Sequence, residues 1–98
     1  MILSILTPSV PSRLELLAKL CSEVQRQIGE LAVEHLVLID NRRRTIGEKR
    51  DALLRAARGH YVAFVDDDDW IRPDYVRELL KASEGNPDVI TFVQESTV

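Results

Sequence analysis

Two short, nearly continuous apolar runs, His35–Asp40 and Tyr61–Asp66, constrain this chain more than any other feature of its sequence. Each is long enough for a strand and too short for a helix, and neither alternates apolar with polar residues. Strands of that kind are covered on both faces, as in parallel sheets flanked by helices. Two further strand-like runs, Ile2–Leu6 and Val89–Val93, carry a polar residue each, Ser4 and Thr91.

Between these runs the apolar period changes from strand to helix. Leu14, Leu17, Cys21, Val24 and Ile28 repeat at helical spacing, predicting a helix over about Ser12–Ile28 with Ser12 and Glu15 as a capping box. A second box, Thr45 with Glu48, opens a helix that Gly59 closes as a C′ glycine. Ile46, Arg50, Leu53 and Ala57 would form its inward face. A third helix begins with Pro73 at its first position, turns Val76, Leu79 and Leu80 inward, and closes at Gly85 and Pro87.

Strands alternating with helices predict an α/β fold of three layers: a mostly parallel sheet with helices on both faces. If strands two and three flank strand one, the order reverses at strand one, and ligands in such sheets bind beyond the strands' carboxyl ends at that reversal. The expected site therefore lies among Pro8–Pro11, Asp40–Asn41 and Asp66–Asp69.

Phe64-Val65-Asp66-Asp67-Asp68-Asp69-Trp70 is the strongest chemical signal there. Four adjacent carboxylates repel one another and require a cation or generous solvation. One or two carboxylates together with substrate phosphates are a common way to hold Mg²⁺ or Mn²⁺. The Asp66-X-Asp68 spacing, a D-X-D pattern, can aim two side chains at one ion. A solvated acidic turn is the alternative. Asp40-Asn41 offers oxygens that could accept from a uracil N3–H or a ribose hydroxyl, or could simply form an Asx-turn. Arg50, near the start of helix two, can meet a diphosphate bidentately or pair with an aspartate of the acidic run. Arg42–Arg44 reads as a solvated loop. The prolines of Pro8-Ser9-Val10-Pro11 stiffen a loop that could flank a base.

Composition removes other classes. The chain has 98 residues and a net charge of −3, without the basic surplus of a nucleic-acid binder. Its single cysteine, Cys21, forms no internal disulfide and reads as a core thiol. His35 and His60 lack metal-like spacing. No G-x-G-x-x-G, G-x-x-x-x-G-K-[ST] or G-x-S-x-G is present. The expectation is one soluble, cytoplasmic domain over 1–98 with neither signal peptide nor membrane span.

In order along the chain, Ser4-Ile5-Leu6-Thr7-Pro8-Ser9, Leu38-Ile39-Asp40-Asn41, Gly47-(x)2-Arg50-Asp51, Arg58-Gly59-His60-Tyr61-Val62-Ala63-Phe64-Val65-Asp66-Asp67-Asp68-Asp69 and Arg72-Pro73-Asp74-Tyr75 resemble the family 2 glycosyltransferases of GT-A fold. The resemblance implies a UDP or UDP-sugar site dependent on Mn²⁺ or Mg²⁺. Pro8, Ser9 and Val10 would flank the uracil, and Asp40 or Asn41 would bond it. Arg50 would face the phosphates. Asp66 and Asp67 would contact ribose or the metal's water shell, with Asp68 the direct ligand and Asp66 beside it.

The chain departs from that family in three ways. Val10 stands where an aromatic is common, and Asn41 where a second acid is usual. Family members are also much longer, with an acceptor pocket and general base in a second half that has no counterpart here. The chain thus reads as a minimal nucleotide-sugar-binding half, performing inverting transfer if active, or else a catalytically silent nucleotide-binding or regulatory module. A homodimer is expected to cover the apolar edge at Val89–Val93 or the neighbouring face.

Overall fold

The computed structural model describes residues 1–41 and 45–84. Its elements run β1 (Leu3–Ser9), a 3₁₀ turn (Pro11–Arg13), α1 (Leu14–Ile28), β2 (Val33–Ile39), α2 (Ile46–Ala56), β3 (Tyr61–Phe64) and α3 (Tyr75–Ser83). The three strands form a parallel sheet in the order β2-β1-β3, so the reversal at β1 stands as expected. The expected strand Val89–Val93, the Arg42–Arg44 loop and the stop at Gly85 and Pro87 lie outside the described residues.

β1 runs past its expected end through Pro8 to Ser9 because β2 continues beside it, pairing Pro8 with Leu38 and Ser9 with Ile39. Proline in a central strand normally removes a ladder bond. Here β3 pairs with β1 only as far as Leu6, and alternation turns the Pro8 nitrogen toward that vacated side. β3 is shorter than the sequence suggests, although Val65 N–H still reaches the Leu6 carbonyl at 3.0 Å.

One core fills the face of the sheet covered by α1 and α3. Leu3, Ile5, Tyr61 and Val65 meet Leu20, Val24 and Ile28 of α1, and Tyr75, Val76 and Leu79 of α3. Each such side chain, fully buried, contributes about 1.5–3 kcal/mol. Within α1 the buried positions are Leu17, Leu20, Val24 and Ile28, spaced by three, four and four. Leu17, Val24 and Ile28 are buried as expected, whereas Leu14 is half exposed and Leu20 takes the place expected of Cys21, which is intermediate. The Ser12–Glu15 box does not form, because Pro11 starts a 3₁₀ turn and α1 opens without a side-chain cap. Gly29, at φ +52°, ends α1 in a backbone conformation that L side chains avoid.

On the opposite face the Thr45–Glu48 box is present: Glu48 N–H donates to Thr45 Oγ1 at 3.1 Å, and that hydroxyl donates to Glu48 Oε1 at 3.2 Å. α2 turns Lys49 and Leu53 inward, leaving Ile46 and Arg50 largely exposed, one residue away from the expected face. The helix stops at Ala57, and Gly59 is not its C′ residue. Gly59 lies instead against β1, where a Cβ would fall on the Ser4 backbone nitrogen and 2.6 Å from the Leu3 carbonyl carbon. Its N–H donates to Ser4 Oγ at 2.8 Å, and Ser4 Oγ donates to Glu34 at 2.5 Å. α3 begins at Tyr75, two residues beyond Pro73, after a turn in which Tyr75 N–H meets the Arg72 carbonyl. No helix among the described residues is long and apolar enough to cross a membrane.

Candidate functional site

A cleft of about 400 Å³ opens at the carboxyl edge of the sheet. Its first wall is the end of β1 and the turn after it: Pro8, Ser9, Val10 and Arg13. Ile46, Lys49 and Arg50, from the first turns of α2, form the second. Asp66, Asp67 and Asp68, after β3, close the third.

The four aspartates form a tight turn. Asp69 N–H donates to the Asp66 carbonyl at 3.1 Å, and Asp69 Oδ2 accepts from Asp66 N–H at 2.9 Å. A turn closed between first and fourth residues brings their side chains together. Carboxylate oxygens of Asp66, Asp68 and Asp69 consequently lie within 4.8 Å of one another. Hard oxygen donors suit Mg²⁺ or Mn²⁺. Neighbouring ligands of an octahedral Mg²⁺ stand about 2.9 Å apart, so the trio would draw closer together to share one ion. Partial burial holds the Asp69 carboxyl above its ordinary range, and the three neighbouring carboxylates add to that rise. A divalent ion would reverse the balance. Beneath this turn, burial and the Asp69 charge push the Tyr75 phenol up to about 12.

Asp67 faces the other way and is only 4% exposed. Its Oδ2 accepts from Ser9 Oγ at 2.7 Å, and its Oδ1 from an Arg13 guanidinium nitrogen at 3.1 Å. The same nitrogen stands 3.8 Å from Asp68. The Asp67 hydrogen bond and charge, then the Asp68 charge, raise the Arg13 pKa above its usual value. Asp67 thereby ties the acidic turn to the end of β1 and the start of α1.

Arg50 reaches the strand ends as its position implied. Its guanidinium stands 3.9 Å from Asp66 and 5.2 Å from the centre of the Phe64 ring. Lys49 is buried, and its ammonium donates to the Ser9 carbonyl at 3.3 Å. Pro8, Ser9, Val10, Arg50, Asp66, Asp67 and Asp68 thus meet around one cleft. Asp40 and Asn41 follow β2 at the same edge but do not line it; Asp40 N–H bonds the Ser9 carbonyl at 3.2 Å.

Sequence reasoning gave no role to Arg13, Lys49 or Asp69. Asp69 was recoverable as the fourth residue of a turn. Lys49 was hidden because a charged residue beside an apolar face reads as solvent-exposed. Residues set aside as structural behave so. The His35 ring nitrogen Nε2 bonds Thr7 Oγ1 at 2.8 Å, and burial lowers its pKa to about 4. Burial also raises the Cys21 thiol, the opposite of nucleophile activation.

Glycosyl transferase family 2 matches residues 17–96. The "Putative glycosyltransferase EpsH" of Bacillus subtilis (strain 168) is 34% identical over 64 residues, covering 58% of this chain. The chain spans about a fifth of that relative's length. No solved structure matches it. The family match covers most of the chain, including the acidic turn, Lys49 and Arg50 of α2 and the whole of α1's buried stripe: this chain belongs to glycosyl transferase family 2.

Proposed function

We propose that this domain binds UDP or a UDP-sugar through a divalent ion, Mn²⁺ or Mg²⁺, held by Asp66, Asp68 and Asp69. The convergence of those three carboxylates beside a cleft that Lys49 and Arg50 line from α2, in a family 2 glycosyl transferase chain, carries the reading. In it, Asp66, Asp68 and Asp69 would hold the ion beside the diphosphate, and Arg50 would turn from Asp66 to a phosphate oxygen. Pro8–Val10 flank the base, with Asp40 or Asn41 at its edge. When bound, the ion supplies charge stabilisation for a departing diphosphate, as inverting glycosyl transfer requires. Asp67 fixes the turn while Asp66, Asp68 and Asp69 take the ligand.

The sole tryptophan, Trp70, follows Asp69 directly and is half exposed, so its emission reports on the turn. Titration with Mn²⁺ and UDP should shift that emission saturably, and the shift should vanish in Asp68→Ala. A flat wild-type titration with both ligands present would remove this reading. UDP-sugar hydrolysis well above background, lost in Asp68→Ala, would separate transfer from silent nucleotide binding. We further propose that residues 1–98 act as one nucleotide-sugar-binding unit, soluble in the cytoplasm. A homodimer covering exposed apolar residues such as Val62 and Leu54 is part of the same reading, and light scattering tests it.

A further inference from the structure

α3 opens without a side-chain cap from its own N-cap residue, Asp74. The first N–H groups of a helix need partners from elsewhere, and one of them finds its partner on α1. Gln27 Oε1 accepts from Val76 N–H at 2.9 Å. The same amide donates through Nε2 to the Arg72 carbonyl and to Glu23 Oε2, both at 2.8 Å. An amide has one acceptor oxygen and two N–H donors, and all three groups are engaged. A carboxylate of the same length could not replace it, because it has nothing to donate. Glu23 is itself gripped by Arg26, through hydrogen bonds of 2.9 and 2.6 Å.

The backbone that Gln27 holds continues directly from the acidic turn. Arg72 lies three positions after Asp69. Its carbonyl also accepts from Tyr75 N–H at 3.0 Å, so one oxygen joins α1, the loop and α3. The incoming end of the turn is tied to β1, by Val65 N–H to the Leu6 carbonyl and by Asp67 to Ser9. At the outgoing end Ile71 is buried in the core. Apolar burial keeps the loop on the core but has no direction, whereas the hydrogen bonds of Gln27 fix its position along α1.

We propose that Gln27 is a positioning residue for the metal site, fixing the outgoing end of the acidic turn so that Asp69 stays beside Asp66 and Asp68. The proposal rests on the metal-binding reading above. Gln27 does not line the cleft and acts through the Arg72 carbonyl and the loop.

The test is a calorimetric titration of the full chain with Mn²⁺ in the presence of UDP. Gln27→Met keeps the length of the side chain and loses all three bonds. Its Mn²⁺ affinity should fall about tenfold, as expected of residues that orient metal ligands from outside the coordination shell. Gln27→Glu keeps an acceptor for Val76 N–H but loses both donors, and should fall as far. Val24→Ala, a core truncation in the same helix, should bind Mn²⁺ as wild type does although its melting temperature drops.

Wild-type affinity in Gln27→Met overturns the proposal. Retained affinity in Gln27→Glu also overturns it, because the amide would then only cap α3. An equal loss in Val24→Ala does the same, since the effect would be one of general stability. If Gln27→Met fails to fold, Gln27→Glu and Val24→Ala decide. A wild type that binds no Mn²⁺ would overturn the underlying reading instead.

Discussion

Ser9 and Asp67, 58 positions apart in the sequence, are joined by a buried hydrogen bond of 2.7 Å from the Ser9 hydroxyl to Asp67 Oδ2. Asp67 is central within the acidic run, yet it faces away from Asp66, Asp68 and Asp69, whose carboxylate oxygens lie within 4.8 Å of one another. The bond holds the turn after β3 against the end of β1, so the ligand-facing carboxylates start from a fixed frame. Preorganisation of this kind spares the ligand the cost of ordering the loop.

Asp67→Ala should therefore destabilise the fold by about 2 kcal/mol, because it strips a buried hydroxyl of its acceptor. Asp67→Asn keeps one acceptor oxygen and should cost about half as much. Urea denaturation measures both. A neutral Asp67→Ala would show that the bond does not hold the turn.

Gly59 packs where no side chain fits. Gly59→Ala would drive a Cβ onto the Ser4 backbone, and backbone cannot yield as a flexible side chain would. The expected cost is at least about 2 kcal/mol, at the upper end of ordinary overpacking. Thermal denaturation checks it, and an unchanged melting temperature would contradict the close approach.

Much of this was legible in sequence and some was not. The strand–helix alternation, the reversal at β1 and the carboxyl-edge site follow from apolar runs whose period changes with the element. The Asp66–Asp68 pair could be placed because it follows the end of such a run, and Arg50 because it lies near the start of a helix that opens at a capping box. What escaped depends on direction rather than type. Cys21 and Leu20 are adjacent apolar residues, and only the packing of α1 against the rest of the core decides which is buried. Lys49 and Arg50 are adjacent cations, and the rotation of α2 on the sheet turns the first inward. Gly59 looks like a helix stop in sequence, but its reason is the neighbouring strand.

His35 makes stability depend on pH. Its folded pKa is lowered from 6.5 to about 4 by burial, so the folded state resists a proton that the unfolded chain accepts. Stability conferred by the neutral ring is fully present above about 6.5 and is lost as pH falls toward 4, by at most roughly 3 kcal/mol. Glu23, lowered to about 2 by hydrogen bonds from Arg26 and Gln27, adds a further loss below 4.5. Melts of wild type and His35→Gln between pH 7 and 4 should diverge, with the variant showing the flatter dependence. Parallel curves would place the acid sensitivity elsewhere.

Arg50 contacts Asp66 and the Phe64 face from an exposed position. Exposed ion pairs are worth little, so Arg50→Ala should change stability by no more than about 1 kcal/mol. If Arg50 meets the diphosphate, the same variant should weaken UDP binding by about tenfold or more. A destabilised variant with unchanged affinity would reverse that assignment.

The most direct test is an isothermal titration of the chain with UDP, run with Mn²⁺ and again with chelator, on wild type and Asp68→Ala. The account predicts saturable heat for wild type only when Mn²⁺ is present, and none for Asp68→Ala under either condition. Binding that persists in chelator, or that survives loss of Asp68, would contradict a metal bridge between the acidic turn and the diphosphate.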